Sequence, residues 1–196
     1  MTVKKSIFYI LSIASLLFAV DNIQGQPVTL TKEQAIEDFK WLRFALEYVH
    51  PRLYKYDDKR TVDNRFDSLS RLINSEISGL DFLALISKTN AALHCGHLYT
   101  IPQGQIAKEV SEKKVLPFHI KVLEDKIYIL NDCSNSSIRN GSQILTINGK
   151  SDKEIFAAIM PGIASDGYIQ TRKQRLMERY FFQLFHGFDL YYHLLC

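Results

Sequence analysis

The sequence predicts an α+β protein in which an N-terminal helical unit precedes a small β-rich unit that also carries helices. Residues 30–95 contain three segments whose apolar residues recur at three- and four-residue spacing, as in amphipathic helices. After Gly96 this spacing gives way to short runs of β-branched and aromatic residues, which is the composition of strands. Two further helices are predicted after these strands, over residues 152–160 and 168–185.

The first 25 residues are predicted to be a secretory signal peptide. Lys4 and Lys5 precede an apolar run over residues 7–20, and a polar stretch leads to the expected mature start near Gln26. A membrane-spanning helix needs about 20 apolar residues, so a permanent anchor is the weaker alternative and no stable membrane span is expected. We therefore expect an exported protein, either periplasmic or extracellular.

Composition indicates an ordinary globular protein. The 196 residues are 46% apolar and carry a formal net charge of +3, which is too small and too scattered to predict a nucleic-acid partner. Cys95, Cys133 and Cys196 are too few for a disulfide framework, although one bridge between Cys95 and Cys133 stays open. Oligomeric state is not predicted.

The first predicted helix is marked at both ends. Thr31 and Gln34 have the spacing of a capping box, in which each residue satisfies a free backbone N–H of the other. Apolar residues then recur as far as Val49, and His50-Pro51 is expected to end the helix.

Two more helices complete the predicted helical unit. One is expected to begin near Thr61 or Asp63, and the other follows Gly79 and is apolar enough to be mostly buried. The adjacent carboxylates Asp57 and Asp58 precede the second helix and are predicted to be solvated turn residues.

The β-rich unit is predicted from four short runs and one turn. Asn148-Gly149 is a tight-turn signal that follows the fourth run, and residues 188–195 are expected to form one more strand. The four runs are LYTI (98–101), VLPFHIKV (115–122), KIYIL (126–130) and QILTI (143–147).

These elements divide the mature chain into three parts. The predicted parts are a helical domain (26–102), a polar linker or exposed loop (103–114), and a mixed β-rich domain (115–196) that ends at the start of a following domain.

The stretch LHCGHLYT brings three reactive side chains together in the sequence. A zinc site needs about four ligands, and no second Cys or His pair completes the set begun by His94, Cys95 and His97, so no metal site is predicted. A Cys95 nucleophile with a neighbouring histidine as base has no visible orienting group. The favoured interpretation is structural, with Cys95 packed at the end of the third helix and Gly96 in the left-handed position that ends it.

Several catalytic and cofactor motifs are absent from the sequence. It contains no G-x-S-x-G nucleophile elbow, no G-x-x-x-x-G-K phosphate loop and no G-x-G-x-x-G dinucleotide motif. We therefore predict neither a cofactor nor a catalytic residue from these signatures.

The order of several segments resembles the N-terminal half of the tail-specific, or C-terminal processing, family of secreted bacterial serine peptidases. The helical part resembles the leader region of that family, and the β-rich part resembles its PDZ-like domain, a small β-barrel or sandwich with helices. The resemblance implies a structural role for Gly96-His97, with Cys95 at a position where an acidic residue is more usual. The segments are EDFKWLRFALEYVHPRLYKY (37–56, with His50, Pro51, Leu53 and Tyr54), DFLALISKTNAALHCGHLYT (81–100), and LPFHIKVLEDKIYIL followed by GSQILTINGKSDKEI (within 116–155).

The resemblance implies a peptide-binding role for the PDZ-like part. Such a domain adds an extended peptide to a sheet edge and receives its terminal carboxylate at backbone N–H groups of a loop. Pro117 removes one of these donors and the loop has no glycine, so we expect weak carboxylate capture. The alternative to peptide binding is a PDZ-like fold that only packs against a neighbouring part of the protein. By similarity, the receiving residues are Leu116, Pro117, Phe118, His119 and Ile120.

In the family, the catalytic serine and lysine belong to a domain that follows the PDZ-like part. We therefore expect this chain to be the N-terminal portion of an exported tail-specific serine peptidase, without the catalytic domain and inactive by itself. Its expected partners are peptides or the C-termini of unfolded proteins. The alternative is a stand-alone secreted module that binds a peptide or a protein without hydrolysing it.

Overall fold

The computed structural model describes residues 27–113, 116–134 and 137–184. Within them the protein is α+β, with six α-helices, one short 3₁₀ helix and three small antiparallel sheets. The predicted signal peptide (1–25) and the predicted strand at 188–195 lie outside the described residues. None of the described helices combines the length and the apolar character that crossing a membrane requires.

The first helix, α1 (Lys32–Val49), forms as predicted. The Thr31 hydroxyl accepts a hydrogen bond from the Gln34 N–H at 3.3 Å, and the Gln34 side chain accepts one from the Thr31 N–H at 2.9 Å. This reciprocal pair confirms the capping box. The helix ends at His50, and its buried face is formed by Ala35, Phe39 and Leu46.

The second helix, α2 (Lys59–Ser70), begins earlier than predicted because Asp58 caps it. The Asp58 carboxylate accepts a hydrogen bond from the Thr61 N–H at 2.7 Å. Asp58 is therefore solvent-exposed, as predicted, and also caps the helix. Val62 and Phe66 form the buried side of the helix, in agreement with the predicted pattern.

The third helix, α3 (Gly79–Ala92), is buried along much of its length, as its composition predicts. Just before it, strands β1 (Thr29–Leu30) and β2 (Ile77–Ser78) pair in antiparallel fashion and fix the start of α1 beside the start of α3. The buried core of this helical unit consists of Ala35, Phe39, Leu46, Leu53, Val62, Phe66, Ile73, Ile77, Leu85 and Leu93.

The predicted linker or loop at 103–114 instead contains a helix, α4 (Gly104–Ser111). The Glu109 carboxylate accepts a hydrogen bond from the Val28 N–H at 2.8 Å. Ile106 packs so closely on α3 that a Cβ added to Gly79 would lie 3.1 Å from its side chain. The prediction of a linker or loop was wrong because it rested on polar composition, which gives no sign of these few long-range contacts.

The predicted strand at 98–101 is also absent from the described structure. Leu98 packs against the helical core, and Thr100 accepts a hydrogen bond from the Asn90 side chain at 3.1 Å. No described strand pairs with this segment. Leu98 and Thr100 are half-buried while Tyr99 and Ile101 are exposed, so the segment has the alternation and the residue types of a strand but no partner strand.

The main sheet has the order β3–β4–β5 and is antiparallel throughout. Strands β3 (Phe118–Leu123) and β4 (Lys126–Asp132) form a hairpin, and β5 (Gln143–Ile144) pairs with the other side of β4. These strands confirm the predicted run at 126–130 in full and parts of the runs at 115–122 and 143–147. The core of this unit consists of Ala84, Ile120, Val122, Ile127, Ile129, Ile144, Ile155, Ala158, Ile159, Ile163, Met177 and Phe181.

The predicted turn at Asn148-Gly149 joins β6 (Thr146–Ile147) to β7 (Lys150–Ser151). Asn148 and Gly149 have φ angles of 51° and 80°, the left-handed conformation that a tight hairpin turn requires. Helix α5 (Asp152–Ile159) follows directly, as predicted, and the 3₁₀ turn (Met160–Gly162) continues from it.

The last described helix, α6 (Gln170–Leu184), lies against β3 and contributes Met177 and Phe181 to the core of the β-rich unit. Its backbone departs from helical geometry at Tyr180, where φ is −116° and ψ is 16°. The helix therefore belongs to the β-rich unit, as predicted, and bends at this residue.

The prediction that Gly96 caps α3 is wrong. His94, not Gly96, takes the left-handed conformation after the helix, with a φ of 55°. Gly96 instead permits a close approach, because a Cβ at this position would lie 3.1 Å from Asp166 Oδ2 and 3.2 Å from the Asp166 backbone nitrogen. The space available at Gly96 is thus limited by Asp166, which lies 70 positions away in the sequence.

We predict that Gly96→Ala lowers the free energy of unfolding by about 1–3 kcal/mol, because the added methyl group overpacks the contact with Asp166. Urea denaturation measures this cost. In an Asp166→Ala background the cost should shrink, since two of the three nearest atoms belong to the Asp166 side chain. An equal cost in both backgrounds would contradict the assigned role of Gly96.

Candidate functional site

The predicted peptide-binding residues lie at the start of β3. Leu116 and Pro117 precede the strand, and the Pro117 carbonyl accepts a hydrogen bond from the Cys133 N–H at 2.8 Å. Leu116 and Phe118 are half-buried and pack against the core of the β-rich unit. Both therefore present part of an apolar surface to solvent.

His119 and Ile120 point to opposite faces of the sheet, because alternate side chains of a strand do so. His119 is exposed, whereas Ile120 is only 2% exposed and belongs to the core. A peptide bound here is thus expected to meet the backbone of Ile120 and not its side chain.

An open cleft of about 500 Å³ adjoins the start of β3. It includes two of the five predicted residues, Leu116 and Phe118, and apolar side chains predominate in it. The described residues that line it are all uncharged: Leu116, Phe118, Ile129, Ile138, Ser142, Gln143, Ile144, Leu145, Thr146, Ile147 and Asn148. Such a surface suits an apolar side chain and offers only neutral hydrogen-bonding groups to a polar one.

Helix α6 occupies part of the edge of β3. The Glu178 carboxylate accepts a hydrogen bond from the Val122 N–H at 3.0 Å, and the Gln174 side chain donates one to the Val122 carbonyl at 2.8 Å. Lys121 also pairs with Glu178 at 3.0 Å. Because the helix already satisfies the edge at Val122, a peptide cannot pair with β3 at this residue.

The turn formed by residues 94–97, here called the 94–97 turn, is fixed to a second loop. The His94 carbonyl accepts a hydrogen bond from the Gly167 N–H at 2.9 Å, and the His94 ring nitrogen Nδ1 lies 3.0 Å from the Gly167 carbonyl. The Gly96 N–H donates to Asp166 Oδ1 at 2.9 Å, and Arg172 donates to the Gly96 carbonyl at 2.9 Å. These four contacts, called the junction below, join the helical unit to the β-rich unit.

A carboxylate network supports the junction from the helical side. Asp57 pairs with Arg65 at 2.6 Å and accepts a hydrogen bond from the Tyr168 hydroxyl at 2.9 Å. The Asp57 side chain is only 12% exposed, which corrects the prediction of a solvated turn residue. That prediction failed because Arg65 and Tyr168 reach Asp57 from other elements.

The pKa values of Asp57, Arg65 and His94 are shifted in this network, and that of Arg65 is raised by its hydrogen bond with Asp57. The hydrogen bonds from Arg65 and then Tyr168 hold the pKa of Asp57 below its ordinary value, although partial burial opposes them. Burial, reinforced by the charge of Arg65, lowers the pKa of His94. The network therefore holds an ionised carboxylate beside a neutral imidazole at neutral pH, with His94 Nε2 3.6 Å from Asp57.

The 94–97 turn also places two of its side chains beside Asp166. Cys95, His97 and Asp166 each offer one potential ligand atom, and these atoms all lie within 4.8 Å of one another. Sequence reasoning missed Asp166 because no local pattern connects it to the 94–97 turn across this separation. His94 points elsewhere, into the network around Asp57.

The Cys95 and Cys133 thiols are both free, so the bridge that the sequence left open does not form in the described structure. Cys95 is half-buried and Cys133 is exposed.

A second open cavity, of about 590 Å³, lies next to the junction. It is partly lined by Gly96, Tyr99 and Arg172, and it contains none of the predicted peptide-binding residues. This cavity gives solvent-borne molecules access to the neighbourhood of the 94–97 turn.

A scan against models of known protein families finds no match to this chain. A search of curated protein sequences likewise finds no match.

We predict that the contribution of Asp57 to stability is lost in acid. The folded-state pKa of Asp57 lies below the ordinary value of 3.8, so the unfolded chain binds more protons in this range. The stabilisation is present above pH 3.8 and disappears as the pH falls through the lower folded-state value.

Urea denaturation over a series of pH values tests this prediction. The difference in free energy of unfolding between the natural chain and Asp57→Asn should be largest near neutral pH and should narrow in acid. Asp125→Asn, in the exposed turn between β3 and β4, is a matched control. A difference that stays constant from neutral to acid pH would contradict the assigned charge interaction.

Proposed function

We propose that the chain is the N-terminal, peptide-receiving portion of an exported tail-specific serine peptidase. The order of the sequence segments supports this proposal, as does the arrangement of a helical unit followed by a small antiparallel sheet with flanking helices. The helical unit corresponds to a leader region and the β-rich unit to a PDZ-like domain. The substrates are peptides or the C-termini of unfolded proteins.

The observation that carries the proposal is the cleft beside β3. Leu116 and Phe118, selected by resemblance alone, both line an open, uncharged and largely apolar cleft of about 500 Å³. A cleft of this size and character accommodates one or two apolar side chains of an extended peptide. Leu145, which is 67% exposed, supplies an apolar wall that is available without rearrangement of the core.

The mode of binding differs from simple strand addition. Because α6 satisfies the β3 edge at Val122, backbone pairing is restricted to the beginning of the strand, near Phe118 and Ile120. Affinity then comes mainly from burial of apolar side chains in the cleft, at about 25 cal/mol for each Å² removed from water.

In this proposal, the described residues bind the peptide and do not hydrolyse it. A serine activated by a lysine of depressed pKa, in a domain that follows the PDZ-like part, would cleave the peptide presented by the cleft. The same cleft would serve a stand-alone secreted module that binds peptides without cutting them, which is the alternative function.

We predict that an acidic residue in the cleft weakens binding of a labelled peptide that ends in apolar residues. Leu145→Asp should reduce affinity at least about 10-fold, the equivalent of 1.4 kcal/mol, because it buries a charge against apolar side chains. Fluorescence anisotropy measures the change. Phe118→Asp should act in the same direction.

Leu123→Asp is the matched control. Leu123 lies on β3, as Phe118 does, is 52% exposed and does not line the cleft. Circular dichroism establishes that each variant is folded. Equal loss of affinity in Leu145→Asp and Leu123→Asp, or no binding by the natural chain, would contradict the proposed site.

We further predict that amidation of the peptide C-terminus changes the affinity by less than about 10-fold, or 1.4 kcal/mol. The described lining of the cleft contains no cation, and Pro117 removes one backbone donor from the preceding loop. Anisotropy with the paired free and amidated peptides measures the effect. A larger loss on amidation would show that a carboxylate receptor exists and that apolar contacts do not dominate.

A further inference from the structure

We propose that Cys95, His97 and Asp166 form a binding site for one divalent transition-metal ion, with Zn²⁺ as the best fit. The site would use the Cys95 sulfur, one His97 ring nitrogen and one Asp166 carboxylate oxygen. This function is separate from peptide binding, because none of the three residues lines the cleft beside β3.

The spacing of the three potential ligand atoms supports the proposal. All of them lie within 4.8 Å of one another. Zinc bonds of about 2.0–2.3 Å in tetrahedral geometry place neighbouring ligand atoms about 3.6 Å apart. The three atoms therefore need to approach one another by roughly 1 Å, and the exposed His97 side chain is free of core packing that would prevent it.

The junction holds the ligands in position before any ion binds. The Gly96 N–H donates to Asp166 Oδ1 at 2.9 Å, which orients the carboxylate between the two ligands that flank Gly96. Arg172 donates to the Gly96 carbonyl and so fixes the following peptide group.

The donor set matches zinc in softness and in charge. A thiolate, an imidazole and a carboxylate are all established zinc ligands, and one thiolate with one carboxylate neutralises the ion. The neighbouring Arg172 therefore meets no net positive charge at the loaded site. Three protein ligands leave a fourth position for water or another ligand. The open cavity of about 590 Å³ is lined in part by Gly96, which lies between Cys95 and His97 in the sequence.

The test uses the purified full chain with Zn²⁺ in calorimetry and with Co²⁺ in absorption spectroscopy. We expect one ion per chain, and a thiolate-to-cobalt charge-transfer band in the near ultraviolet. Cys95→Ser, His97→Gln and Asp166→Asn should each weaken Zn²⁺ binding at least about 10-fold, since even loss of a group that supports a ligand costs 10–100-fold. Cys95→Ser should also abolish the cobalt band.

Cys133→Ser is the matched control, because Cys133 is a free and exposed thiol outside the cluster, and it should keep both the stoichiometry and the band. Circular dichroism of the metal-free variants separates loss of ligand from loss of fold. The proposal is overturned if the natural chain binds no ion, if folded Cys95→Ser binds Zn²⁺ as tightly as the natural chain, or if the cobalt band depends on Cys133.

Discussion

The junction between the 94–97 turn and the loop that contains Asp166 is the polar contact that joins the two units of this protein, and Ala84 of α3 adds an apolar contact in the β-rich core. It joins the helical unit to the β-rich unit through short hydrogen bonds at backbone groups of Gly96, Gly167 and His94. Gly96 permits this close approach, because a Cβ at this position would lie only 3.1–3.2 Å from Asp166. The same contact orients the Asp166 carboxylate and borders the larger cavity, so the geometry of the proposed metal site follows from how the two units are joined.

Elements with strong local signals could be predicted from the sequence. The Thr31–Gln34 capping box and the Asn148-Gly149 turn are set by hydrogen bonds and φ angles within four residues, so the sequence contains all the information that they need. Apolar periodicity likewise predicted the helices of both units and two of the strands. Leu116 and Phe118 were selected by resemblance and not by any local pattern, and their role in binding a peptide stays a prediction.

Features that depend on long-range contacts could not be predicted in this way. Residues 103–114 are polar, yet α4 forms because Ile106 and Glu109 contact residues that lie far away in the sequence. Gly96 carries the usual signal of a helix cap, but its role is set by Asp166, which no motif marks. The residues of the proposed metal site could not be identified from the sequence for the same reason, because folding brings Asp166 to Cys95 and His97.

The proposed role of the cleft beside β3 is to receive an apolar peptide. The most direct measurement is a titration of the isotope-labelled chain with an unlabelled peptide ending in apolar residues, followed by amide chemical shifts. We expect saturable shifts at residues that line the cleft, including Phe118, Ile138 and Leu145. Saturable shifts confined to other surfaces, or none at all, would show that the peptide does not bind in the cleft.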